Sequence, residues 1–195
     1  MNIWFSSDFH LDHLNISGQK LSSWKSGYRD FDSLSEMNET ILKSINKVVK
    51  YDDVLYFLGD FCFKNHKNTP NWRNRINCRN IHLIRGNHDT HIDLYKDYFS
   101  SIQDVLTVKH GSGGHTFFLS HYSHRIWYGS HKGVIHLYGH SHDSISDYGK
   151  SMDVGIDAAK RITGEYRPFR LEEIQTIMNK KEVQIIDHHN KKTDI

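Results

Sequence analysis

An α/β fold is what this chain predicts, and three observations predict it. Strand-like apolar runs and helix-like segments alternate through the first hundred residues, in the order strand, helix, strand, helix, strand. One helix is marked strongly: Ser33-Leu34-Ser35-Glu36 has capping-box spacing, and Leu34, Met37, Ile41, Ile45 and Val48 then share one face, with Leu42 and Val49 beside them. Finally, three apolar runs each end in a glycine followed by polar side chains. They are Val54 to Gly59-Asp60, Ile81 to Gly86-Asn87-His88-Asp89, and Val134 to Gly139-His140-Ser141-His142. Two related runs lack the glycine: Ile3 to Ser7-Asp8-Phe9-His10, and Thr116 to Ser120-His121.

Taken in order, the first strand leads into a loop over 11–31, rich in serine and carrying Gly18 and Gly27. A loop of that length after a polar strand end covers or shapes a site. His13 and Asn15 lie at its start, within reach of a substrate. The capped helix follows, and Tyr51-Asp52-Asp53 turns the chain into the strand before Asp60. Residues 64–80 are polar, with Pro70 opening a short helix through Trp72 and Ile76. After Asp89 a helical stretch is expected over 92–99. From Val105 the texture changes to short strands around Gly111-Ser112-Gly113-Gly114, a hairpin-type turn. A loop over 123–133 is rich in His, Arg, Trp and Tyr. Ser151 to Asp157 reads as a strand and Leu171 to Met178 as a helix after Pro168. From 179 onward the chain reads as a polar tail in which Val183 to Ile186 packs as a short strand or stays loose. There is no repeat or linker, so residues 1–195 form one domain.

Composition excludes several classes of function. The formal net charge is +2 with scattered Lys and Arg, so no strong nucleic-acid or membrane surface is advertised. No apolar run approaches membrane-spanning length, and the N-terminus enters a strand with no basic and apolar leader. Cys62 and Cys78 show no metal or disulfide spacing and read as buried thiols of a reducing compartment. A cytoplasmic protein is expected. The unusual number is 16 histidines, and those that follow strands carry the chemistry.

Five strand ends deliver Asp8 and His10, Asp60, Asn87 and His88, His121, and His140 and His142. If the strands share a sheet edge, these side chains converge. Oxygen and nitrogen donors of this kind suit borderline metals such as manganese, iron or zinc, two of them in a cluster this size. Gly86 is able to take a positive φ at a sharp exit. Asn87 offers a neutral carbonyl oxygen to a cation, and His88 a ring that passes a proton or touches a phosphate oxygen.

In order, Asp8-x-His10, Gly59-Asp60, Gly86-Asn87-His88-Asp89, His121 and Gly139-His140-x-His142 resemble the five blocks of the calcineurin-like metallophosphoesterases. The closing Val154-Gly155-Ile156-Asp157 and the Leu171-Glu172-Glu173-Ile174 helix look like the small stand-alone bacterial and phage members. The resemblance implies a two-sheet β-sandwich flanked by helices, and two divalent transition-metal ions, manganese foremost, with iron, zinc or nickel as alternatives. It implies Asp8, His10 and His142 on one metal, Asn87, His121 and His140 on the other, Asp60 bridging both, and His88 beside the phosphate assisting the leaving group. Two metals about 4 Å apart hold a bridging hydroxide and neutralise charge on an in-line displacement. The implied activity is hydrolysis of phosphodiesters, small or cyclic nucleotides among them. Phosphomonoesters are the runner-up; a nuclease or a non-catalytic scaffold follows behind. One departure stands out. The protein-phosphatase branch has Asp and Arg three and four residues after the bridging Asp, where this chain has Phe63 and Lys64. His124, Arg125 and Lys132, in the loop before Val134, are placed to meet an anionic substrate, and Asp89 reads as structural.

Overall fold

A computed structural model describes residues 1–63, 66–111, 113–187 and 189 of the chain. Two sheets face each other. The first has the order β4-β3-β2-β1-β9, from strands β1 (Ile3–Ser6), β2 (Val54–Phe57), β3 (Asn80–Ile84), β4 (Ser101–Gln103) and β9 (Phe169–Arg170). The second is β5-β6-β7-β8, from β5 (Val105–His110), β6 (His115–Ser120), β7 (Ile135–Tyr138) and β8 (Ser151–Asp153). Pairing is parallel except at β1–β9 and β5–β6. The helices are α1 (Leu14–Ser17), α2 (Leu34–Val48), α3 (Thr69–Asn74), α4 (Ile156–Thr163) and α5 (Leu171–Asn179). The result is an α/β sandwich of two mostly parallel sheets flanked by helices.

The alternation of side chains along the first sheet explains why its strands read as continuous apolar runs. Phe5 and Tyr56 enter the core shared with Phe117, Leu119, Ile135, Leu137 and Met152 of the second sheet. Trp4, Leu55, Phe57, Ile81 and Leu83 turn the other way, onto Met37, Ile41 and Ile45 of α2. Each fully buried aliphatic side chain of that helix stabilises the fold by about 1.5–3 kcal/mol. Ser33 caps the helix as the spacing predicts, its hydroxyl accepting from the Glu36 N–H at 3.1 Å.

Several boundaries differ from those read in the sequence. The expected strand over 151–157 ends at Asp153, because Gly155 turns the chain and Ile156 opens α4. Ala158, Ala159, Lys160 and Arg161 are good helix formers, and Gly164 ends the helix in a left-handed cap. The 92–99 segment is a kinked 3-10 stretch, and α3 stops before Ile76. The 11–31 loop holds one turn of helix, α1. Residues 183–186 take no regular structure.

Asp53 locks the end of the first sheet remote from the polar strand ends. It accepts from Asn2 N–H at 2.7 Å, Trp4 Nε1–H at 2.9 Å and Lys50 N–H at 3.1 Å. Burial alone would raise its pKa, but these bonds outweigh burial and lower it. An asparagine cannot accept at both positions, so Asp53→Asn is expected to destabilise the fold by about 1–3 kcal/mol through an unsatisfied N–H. Because the folded-state pKa lies below the unfolded one, the stabilisation is present above about pH 4 and is lost as pH falls. Urea denaturation of both proteins at pH 7 and pH 3 checks this: the gap should narrow at pH 3, and equal midpoints at pH 7 would remove Asp53 from the role.

Candidate metal centre

The five polar strand ends do not share one sheet edge. β1, β2 and β3 belong to the first sheet, β6 and β7 to the second, and both sets of C-terminal ends meet at a common rim. The rim is stitched across the sandwich: Ser7, just past β1, pairs with Gly155, just past β8, and the Ile156 N–H reaches Ser7 O at 3.1 Å. Convergence therefore depends on how the sheets stack, not on strand order alone.

The turns carrying these side chains are strained where the sequence placed no strain. Gly86 does not take a positive φ; Asp8, His10, Asp60, His140 and His142 do. Asp and His are among the few residues that tolerate this region, at a cost of about 1–3 kcal/mol each. Gly86 is needed for a different reason: a Cβ there would collide with the Asp60 carboxylate and backbone. Asp89 joins these two exits, accepting from the N–H groups of Asp60 (2.8 Å), Phe61 (3.1 Å) and Gly86 (2.9 Å). Burial, with the charge of Asp60 added, lifts its carboxyl to about 6 against those three donors.

Among the described residues, three overlapping groups of side chains are each able to hold a metal ion: Asp8, His10 and His142; His10, Asp60 and His88; Asp60, His121 and His140. His10 joins the first group to the second, and Asp60 the second to the third. Its Oδ2 lies 3.5 Å from His10 Nε2, 3.5 Å from His121 Nε2 and 4.0 Å from His88 Nε2. Its Oδ1 is occupied by the His88 N–H at 2.9 Å, so a single oxygen faces both halves. Asp8, His10, Asp60 and His121 form a buried floor, while Asn87, His88 and His140 are exposed at the mouth.

The donors fit a cation on their own chemistry. His121 Nδ1 donates to Leu58 O at 2.7 Å, so in the neutral ring Nε2 carries the lone pair; yet Nε2 faces Asn87 Oδ1, another acceptor, at 3.0 Å. His142 Nδ1 donates to Asp157 at 2.7 Å, and its Nε2 lies 3.2 Å from His10 Nε2. Acceptors converging on acceptors need a proton or a metal between them. Protons compete: burial opposes charge on His121, but the bond to Asp60 and its negative charge win and raise the ring to about 9. Asp60, also penalised by burial, is held near 2 by the His121 bond and by the charges of His10 and His121.

Other residues singled out in the sequence fare differently. His13 is buried, 3.6 Å from Phe63 between ring centroids and edge-on to Trp24. Burial, with the charges of His10 and His88 added, holds it near 3, and its Nδ1 finds no partner among the described residues. It packs behind His10 and His88 instead of lining the open mouth. Arg125 is exposed on the loop between β6 and β7. In the same loop Trp127 is buried, its Nε1–H on Val134 O at 2.8 Å, so it is core, whereas Tyr122 is half exposed against the His140 ring. Cys62 is buried and its thiol is pushed up to about 12 by burial, which keeps it protonated. Lys64 lies outside the described residues.

Sequence reasoning missed the partners behind the donors: Asp157 on His142, Arg29 on Asp157, and buried His136, whose Nε2 accepts the His124 N–H at 2.9 Å and pins the 123–133 loop. Asp157 stood in the closing Gly-Ile-Asp block but read as the end of a strand. Nothing in a serine-rich loop distinguishes Arg29.

No family model matches the chain. It is 29% identical over 190 residues to the uncharacterized protein MJ1445 of Methanocaldococcus jannaschii, spanning 93% of each. It is 27% identical over 192 residues to the gene 66 protein of Mycobacterium phage L5, spanning 83% of this chain and 89% of that one. Among solved structures, a protein of unknown function from Aquifex aeolicus, AQ665, shares the fold with a TM-score of 0.64 and 23% identity, covering 90% of this chain and 98% of that one. A looser likeness, TM-score 0.44 and 16% identity over 80% of this chain and 79% of that one, is to YfcE, a phosphoesterase from E. coli. It is too loose to carry an argument.

Proposed function

We propose that this chain is a dinuclear metal-dependent phosphoesterase of the calcineurin-like type that hydrolyses phosphodiesters, small or cyclic nucleotides among them. One observation carries the reading: His10, His121 and His140, from strand ends of both sheets, gather around the Asp60 carboxylate with His88 at the open mouth, and His10 is shared with a second group that holds Asp8 and His142. Asp8, His10 and His142 would hold one ion, and Asn87, His121 and His140 the other, with Asp60 between them. Two bound divalent cations, manganese foremost, supply charge neutralisation and an activated water for an in-line displacement. His88 would donate a proton to the departing oxygen or steady the phosphate, and Arg125 would attract the anionic substrate. Proton competition at His121 means that metal affinity should rise with pH.

The diester preference rests on the residues beside His88. Where the protein-phosphatase branch has an Asp to orient its histidine, Phe63 packs edge-on against the His88 ring with centroids 4.9 Å apart. The arginine of that branch is replaced by Lys64, and a point charge grips three phosphoryl oxygens less well than a guanidinium.

The experiment is a comparison of kcat/KM on bis-nitrophenyl phosphate, 2′,3′-cyclic nucleotides and mono-nitrophenyl phosphate, with Mn, Ni, Zn and Mg in turn. The diester is expected to lead with a transition metal present. A monoester advantage of about tenfold, some 1.4 kcal/mol in transition-state binding, would establish the phosphomonoesterase instead. No metal uptake and no activation by manganese would leave a scaffold.

A further inference from the structure

Resting on that metal-binding reading, we propose that Asp157 and Arg29 are positioning residues for one half of the centre, the Asp8–His10–His142 half. His142 Nδ1 lies 2.7 Å from Asp157 Oδ2, and a carboxylate only accepts. The hydrogen therefore sits on Nδ1, and the Nε2 lone pair is turned toward His10 Nε2 at 3.2 Å and Asp8 Oδ1 at 3.9 Å.

Arg29 holds the carboxylate from behind with two prongs, Nε to Oδ1 at 2.8 Å and Nη2 to Oδ2 at 2.9 Å. The same guanidinium, buried with Arg29 at 5% exposed, also donates to Asp8 O at 2.7 Å and Phe9 O at 3.0 Å. One side chain thus fixes both the partner of His142 and the carbonyl of the left-handed turn that presents Asp8, whose φ is 60°. The three pieces come from different parts of the chain: the 11–31 loop, the first turn of α4 and the exit of β7. The opposite half is organised without them, since His121 is oriented by Leu58 O and His140 Nδ1 lies 2.9 Å from Asn87 Oδ1.

Metal-binding histidines depend on the bond at their other nitrogen, and losing it costs about 10–100-fold in metal affinity. Asp157→Asn weakens that bond. Arg29 donates to both of the original oxygens and His142 Nδ1 to Oδ2, so in either orientation the asparagine NH₂ faces an N–H donor, and the carboxylate charge that favours a hydrogen on Nδ1 is gone. The Nδ1–H tautomer, which leaves Nε2 free for a metal, loses its advantage.

Two measurements test this. Manganese titration of the stripped full-length protein should show one of two sites weakened about 10–100-fold in Asp157→Asn, the other within about threefold. Nitrogen-15 NMR, with the His142 signals assigned by their loss in His142→Gln, should show Nδ1–H in the stripped wild type and a smaller share of Nδ1–H in Asp157→Asn. If that variant does not fold, the wild-type tautomer decides, together with Arg29→Lys, which keeps the charge but not the fork and should weaken the same single site. Equal weakening of both sites, two unchanged sites, or a wild-type ring with no hydrogen on Nδ1 overturns the positioning role while the metal reading stands. A wild-type protein that takes up no manganese overturns both.

Discussion

Asp60→Asn is expected to lower phosphoesterase turnover by about 10³-fold or more and to release metal during purification. Asp60 Oδ2 lies 3.5 Å from both His10 Nε2 and His121 Nε2, and Oδ1 is committed to the His88 N–H at 2.9 Å. An asparagine has one oxygen to serve both tasks. If that oxygen stays on His88, an NH₂ group points into the centre, where it repels a cation. If the side chain flips, the NH₂ faces the His88 N–H and the loop carrying Asn87 is pushed away. Either arrangement also removes the negative charge that the two proposed cations would share. Metal ions supply several kcal/mol of transition-state charge stabilisation, and each ~1.4 kcal/mol is a factor of ten in rate. Metal content by mass spectrometry and kcat on a diester decide the matter: two ions retained with turnover within tenfold of wild type would remove Asp60 from the bridging role.

His88→Ala is the second large effect, and its signature differs. The side chain is at the open mouth, with Nε2 4.0 Å from Asp60 Oδ2, while it is the backbone N–H of residue 88 that holds Oδ1. Alanine keeps that backbone bond. The variant should therefore retain both metals and lose rate by about 10²–10⁴-fold, the range for a general acid. The loss should shrink on nitrophenyl esters, whose leaving groups need little protonation, and grow on alkyl or nucleoside esters. Equal losses on all substrates would make His88 a positioning group for the phosphate. Loss of one metal would make it a ligand, a role its proximity to His10 and Asp60 leaves open to test.

Much of the fold was legible because its elements are long or strongly patterned. The α2 cap and stripe, the apolar runs before Gly59, Gly86 and Gly139, and the α5 segment all appear where their residues predict. The elements that escaped are short or sit where two signals compete. β4 and β9 have three and two residues and exist only because longer neighbours offer them an edge. α4 was masked by Val154-Gly155-Ile156, an apolar pattern equally good for a strand, until Gly155 turned the chain. At the centre, donors following strands were legible one by one; the residues that orient them were not. Arg29 meets Asp157 across 128 residues of chain, and no local spacing records such a bond.

What the amino-acid sequence determined by itself is therefore the list of candidate donors and their order, because a side chain's chemistry is its own and a strand end shows as an apolar run closed by a turn, which needs no neighbour. Only the tertiary structure decided that these ends belong to two sheets meeting at one rim, and that strain falls on Asp8, His10, Asp60, His140 and His142 while Gly86 serves for closeness. It also decided that one oxygen of Asp60 faces both halves. Those are properties of packing. They follow from how the apolar faces of β1, β2, β6 and β7 stack into a common core, and stacking sets distances between atoms that the chain itself keeps far apart.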